Sequence, residues 1–180
     1  MSSNRIESRG AGRAIGALAL VAALVCGATP AAASDARSSI EDRRRFVSVT
    51  EKLGQAPLKI GLAADREWAL EWLTDAPDVT VTICPDALGG LVGSNYLHAG
   101  EIILQNSFSM AAFLIEHPEA ANDPNAQQLA GLEGALKAYR SILRDAPDAK
   151  SAALERLVQT QSRGQLSDFV RKAWRRCSKK

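Results

Sequence analysis

Between Asn125 and Cys177 apolar side chains recur at steps of three and four, and that spacing limits most of what this chain can become. Leu129, Leu132, Leu136, Tyr139 and Leu143 form one continuous stripe. Pro147 and Asp148 interrupt it, and Ala153, Leu154, Leu157 and Val158 begin a second. After Gly164 a third stripe carries Leu166, Phe169, Val170, Ala173, Trp174 and Cys177. A period near 3.6 residues is that of an amphipathic helix, so the pattern predicts three helices in the last third. Gly131, Gly134, Ala135 and Ala138 crowd the first of them with small side chains. Each internal glycine costs about 1 kcal/mol relative to alanine, and close approach of another helix is the expected return.

Upstream the signals are mixed. Ser38 and Ser39 precede Glu41 and Asp42 at capping-box spacing, which predicts a helix that Gly54 ends. The piece LKIGLA after Pro57 reads as a short strand, and Asp65 as the cap of a helix bearing Trp68, Leu70, Trp72 and Leu73. From Val79 to Cys84 the residues alternate, with Val79, Val81 and Ile83 on one face and Thr80, Thr82 and Cys84 on the other. A period of two predicts a strand. Residues 86–100 read as a glycine-rich loop, EIILQ (101–105) as a partner strand or a helix start, and Ser109 as the cap of a helix ending at His117. The expected fold is therefore a predominantly helical α+β domain over residues 34–180, with a small sheet near residues 79–84 packed by amphipathic helices.

Residues 1–33 have the three-part form of a secretory signal peptide. Arg5, Arg9 and Arg13 make a positive head, Ala14 to Cys26 an apolar middle, and Ala31-Ala32-Ala33 a small-residue cleavage site. An uncleaved anchor is the competing reading, weakened by Pro30 and by the many Ala and Gly residues. Cys26 leaves with the leader, so the mature chain keeps Cys84 and Cys177. In an oxidising compartment two cysteines without a CxxC or Cys/His cluster most simply form one disulfide. Export implies a periplasmic or secreted protein, with no membrane association once the leader is gone.

Charge is sorted along the mature chain. Residues 34–66 carry seven basic and five acidic groups, residues 67–136 ten acidic groups and no Lys or Arg, and residues 137–180 twelve basic and four acidic groups. The mature chain is thus formally neutral, which argues against non-specific nucleic-acid binding. Aromatics at 5% leave little for base stacking. Arg171, Lys172, Arg175, Arg176, Lys179 and Lys180 form a cationic strip opposite the last apolar stripe, a face suited to water or to an acidic partner.

Few residues offer chemistry. The two histidines, His98 and His117, lie near Glu101 and Glu116, yet no HExxH or similar metal spacing occurs. Ser94 lies near His98 without a GxSxG elbow, and Gly89, Gly90 and Gly93 spell neither a P-loop nor GxGxxG. Asp75 and Asp78 flank Pro77 as turn residues. The sequence thus predicts an exported, non-enzymatic binding protein that meets another protein through charged helical surfaces, with no cofactor, no metal and no nucleic acid. The alternative is a small exported hydrolase or metal-dependent enzyme built on residues 86–117, which requires His98, Glu101, Glu116 and His117 to meet in one concavity. Protein recovered from an export-competent host is expected to begin at or near Ser34. Intact-mass analysis checks this, and a retained leader would establish the anchor.

Overall fold

The computed structural model describes residues 38–179, and the leader reading lies outside them. Six α-helices account for the described architecture: α1 (Ile40–Gln55), α2 (Ala63–Asp75), α3 (Ala99–Glu116), α4 (Pro124–Asp145), α5 (Ala152–Ser162) and α6 (Leu166–Cys177). Short 3-10 turns at Ile60–Leu62, Pro85–Leu88 and Pro118–Asn122 lie between them.

α1 starts where its cap predicts: the Asp42 N–H donates to Ser39 Oγ at 3.0 Å. It buries Phe46, Val49, Thr50, Leu53 and Gly54, one face at helical spacing. The Phe46 ring meets Trp72 of α2 at 4.6 Å and the edge of Phe108 of α3 at 5.6 Å, forming the core between these three helices. α3 and α4 form a helical hairpin joined by the turn at Pro118–Asn122, and this pair is the spine of the domain. Asp123 caps α4 by accepting from the Asn125 and Ala126 N–H groups. α5 and α6 close the other side, where Leu154, Leu157, Leu166 and Val170 join Leu132, Leu136 and Tyr139 of α4 in a second core.

The expected sheet is absent among the described residues, and the α+β assignment is corrected to all-α. Residues 79–84 form a connector with no backbone ladder. A strand needs a partner, and both candidates went elsewhere. LKIGLA turns through the Ile60–Leu62 3-10 helix into α2, while EIILQ lies in the first two turns of α3. The alternation is also not that of one buried face: Val79 and Cys84, of opposite parity, are the buried residues, and Ile83 is exposed. Val79 packs with Phe46 and Phe108, while Cys84 packs with Ala87 and Ala173, so the segment bridges two clusters. A side chain serves the connector instead of a neighbouring strand: Gln128 Nε2 donates to the Thr82 carbonyl. Two caps also differ. Ser109 lies inside α3, and α2 begins at Ala63 without a side-chain cap.

Two ties hold the connector. At its start, Asp78 accepts from the Ser38 N–H and hydroxyl and pairs with Arg43. Partial burial pushes the Asp78 carboxyl up, but the bonds from Ser38 and the Arg43 charge outweigh it and hold the pKa below its ordinary value. At its end, Cys84 and Cys177 form a disulfide with their Cα atoms 5.8 Å apart, inside the usual span for a bridge. The bridge ties α6 to the turn at Pro85–Leu88, not to a sheet. Beside it, Arg176 Nε donates to Asp86 Oδ2 at 2.7 Å, so the basic end and the acidic middle meet here. The covalent loop spans a separation of 93 residues. Replacing Cys84 and Cys177 together by Ser is expected to lower unfolding free energy by about 4–5 kcal/mol on the chain-entropy model, as measured by denaturant titration.

Candidate functional site

α3 carries all four residues named for an active site, and it separates them. His98 is the N-cap and Glu101 lies in the first turn, whereas Glu116 is the last helical residue and His117 the C-cap. At a rise of about 1.5 Å per residue, Glu101 and Glu116 lie roughly 22 Å apart along the axis. His117 turns away toward Glu119, with Nδ1 3.3 Å from its carboxylate, and packs its ring on Phe113. No group of three or more His, Cys, Asp or Glu among the described residues is placed to hold a metal ion.

At the N-terminal end of α3, Ser94, Tyr96, His98, Asp148, Lys150 and Ser151 line a cavity of about 640 Å³ between the 94–98 loop and the α4–α5 connection. Its walls are held by tyrosines. The Tyr96 hydroxyl donates to the Ala149 carbonyl at 3.0 Å, and its ring meets His98 edge-on. The Tyr139 hydroxyl donates to Glu155 at 2.6 Å and accepts from the Ser151 N–H at 3.0 Å. Burial, followed by the bond to Glu155, pushes the Tyr139 pKa up to about 12, so it stays a neutral donor. Ser94 and His98 thus line one side of this cavity and Asp148 the other, and no hydrogen bond joins any two of them among the described residues. The Ser94 hydroxyl instead accepts from the Tyr96 N–H at 3.4 Å. Nucleophilic catalysis needs serine, base and orienting acid linked in sequence, and that linkage is not made.

A second concavity, of about 320 Å³, lies where α1, α3 and α4 meet. Its geometry follows from close helix approach. A Cβ on Gly134 would stand 1.9 Å from Ser109 Oγ and 2.5 Å from Ser109 Cβ, and one on Gly131 would stand 2.6 Å from Met110 Cγ. Both glycines are thus required by contact between α3 and α4. Gln105 crosses to α1, its Nε2 donating to the Thr50 carbonyl and to Ser109 Oγ, both at 3.1 Å. Ser141 of α4 donates to the Gly54 carbonyl at 2.9 Å, fastening the end of α1. Thr50, Gln105 and Ser109 line this groove together with Glu51, Glu116 and Glu133. The buried Thr50 hydroxyl has no partner. Lys137 on the rim has its Nζ 3.9 Å from Glu51.

Compared with known proteins, the chain matches no family model, no curated protein and no solved structure. The groove therefore stands on its own geometry. Of its residues, the sequence pointed only to Gly134, through its crowding of α4 with small side chains, and to Glu116, through its place beside His117. Thr50 and Gln105 were not singled out, and Ser109 was read as a helix cap, not as a groove residue. Their signal was polar side chains on the buried faces of α1 and α3, where a purely apolar core would place aliphatic ones. Gly134→Ala is expected to destabilise the fold by about 1–3 kcal/mol despite its better helix propensity. The double variant Ser109→Gly/Gly134→Ala should recover most of that loss in a double-mutant cycle.

Proposed function

We propose that this chain is an exported, non-enzymatic binding protein, periplasmic or secreted, that holds a protein partner in the groove between α1, α3 and α4. The observation that carries the reading is the concavity itself, where three helices meet and Thr50, Gln105 and Ser109 line it together with the carboxylates of Glu51, Glu116 and Glu133.

Three further observations support this. The leader pattern and the bridge between Cys84 and Cys177 both suit an oxidising compartment. No helix among the described residues is long and apolar enough to cross a membrane. The residues that would have carried catalysis lie at opposite ends of α3, so the enzyme alternative lacks the convergence it requires.

The test uses exported protein as bait in periplasmic extract. Ala130→Trp, on a half-buried groove position of α4, should abolish retention of the species that the natural protein holds. His98→Ala and His117→Ala should leave that affinity within about tenfold. Loss of binding in the histidine variants with retention in Ala130→Trp would move the function to the ends of α3 and overturn the proposal.

A further inference from the structure

The charge that the sequence sorts into blocks is sorted again on two helix faces away from the groove. On α6, Lys172 and Arg175 are exposed, and Lys179 is exposed in the turn that follows. None of the three forms an ion pair among the described residues, whereas Arg171 and Arg176 beside them pair with Asp168 and Asp86. α2 presents the opposite sign: Glu67, Glu71 and Asp75 recur at steps of four, all exposed and all without an ion pair among the described residues. Arg66 of the same helix donates to the Pro57 carbonyl, and Arg45 of α1 lies 3.8 Å over the Trp68 ring. Like charges four residues apart on one helix repel, and a helix face laced for solvent alternates the two signs. On α2 the repulsion is compounded. Asp75 ends the helix, where the macrodipole is negative, and no basic residue occupies the last turn.

Within one molecule the two ridges do not relieve each other. α2 packs on α1 and α3, whereas α6 packs on α4, α5 and the turn at Pro85–Leu88, and no ion pair joins the two helices. Between two molecules they match. Glu67 to Asp75 covers about two turns of helix, and so do Lys172 to Lys179 with Arg175 between them. Leu70 is 46% exposed on the same face of α2, and Phe169 lies half-buried beside Lys172 on α6, so each ridge has an apolar neighbour to bury. Residues 34–180 sum to zero formal charge, so two copies approach without net repulsion. We infer that the basic face of α6 docks the acidic face of α2 on a second copy of this chain. The two faces lie on different helices, so the contact is heterologous: a dimer keeps one free face of each sign, and association runs head to tail. It uses no residue of the α1–α3–α4 groove.

The test is sedimentation of the oxidised exported protein over a range of concentrations. At low salt its weight-average mass should rise with concentration, and the dissociation constant should increase about tenfold or more between roughly 0.02 M and 0.5 M salt. Glu67→Lys/Glu71→Lys and Lys172→Glu/Arg175→Glu should each stay monomeric. An equimolar mixture of the two should associate again, because the reversed faces then complement one another. Glu67→Gln/Glu71→Gln, which removes charge without adding repulsion, should weaken association of the natural sequence by about tenfold. A natural protein that is monomeric throughout at low salt, or association that salt does not weaken, would overturn the inference. So would unchanged association in the Gln variant, or a mixture that stays monomeric although both reversed variants keep the natural far-UV circular dichroism. Loss of association in Ala130→Trp would move the contact to the groove and overturn it, without touching the groove reading itself. Capture of a low-salt monomer by phosphatidylglycerol vesicles, lost in Lys172→Glu/Arg175→Glu, would assign the basic face to anionic lipid and exclude the second copy.

Discussion

At Gly131 and Gly134 the α4 backbone lies against α3 so closely that even a methyl group has no room. Much else is placed by that contact. It sets α3 and α4 as one rigid hairpin, and α1 then lies across the pair with Gln105 and Ser141 fastening it from either helix. Phe46 and Phe108 fill the space beneath α1, while Leu132, Leu136 and Tyr139 leave α4 on its other side to meet α5 and α6. Two cores thus share one spine. The connector at residues 79–84 runs between them, because neither core offers it an edge to pair with.

The junction is polar where most helical cores are not. Gln105 is tied down by two hydrogen bonds, yet the Asn106 side-chain amide and Gln128 Oε1 are buried without partners nearby. Each unpaired group of this kind opposes folding by about 1–3 kcal/mol. Leucine at the same positions would remove those unpaired groups but would also remove the hydrogen bonds through which α3 positions α1. Polar side chains here trade stability for a defined arrangement of three helices and for a concavity between them.

Much of this was legible in the sequence, and the exceptions share a cause. Ser39 announced α1 through a local bond to the Asp42 N–H, and the stripes from Leu129 to Cys177 announced α4, α5 and α6 through periodicity within each segment. The failures came where structure depends on distant neighbours. Val79 to Cys84 alternate as a strand does, but whether a strand forms depends on a partner that only tertiary structure supplies. Ser109 resembles a cap in isolation, and only its contact with Gly134 shows why a small polar residue lies in the middle of α3. The lining of the groove was hidden in the same way. His98 and His117 drew attention by type, whereas the groove is assembled from Thr50, Gln105, Ser109 and Glu133, ordinary residues drawn from three helices.

The bridge from Cys84 to Cys177 divides the molecule topologically. Every residue from 84 to 177 belongs to one covalent ring, which encloses α3, α4, α5 and α6. α1 and α2 are a tail attached to that ring at a single point. Two walls of the groove therefore belong to the ring and the third to the tail, held to the ring by the packing of Phe46 on Phe108 and by the bonds from Gln105 and Ser141, whereas the Asp78 latch with Ser38 and Arg43 lies within the tail. Separating α1 from α3 and α4 would therefore break no bond of the ring and would leave the packing of α5 and α6 on α4 in place.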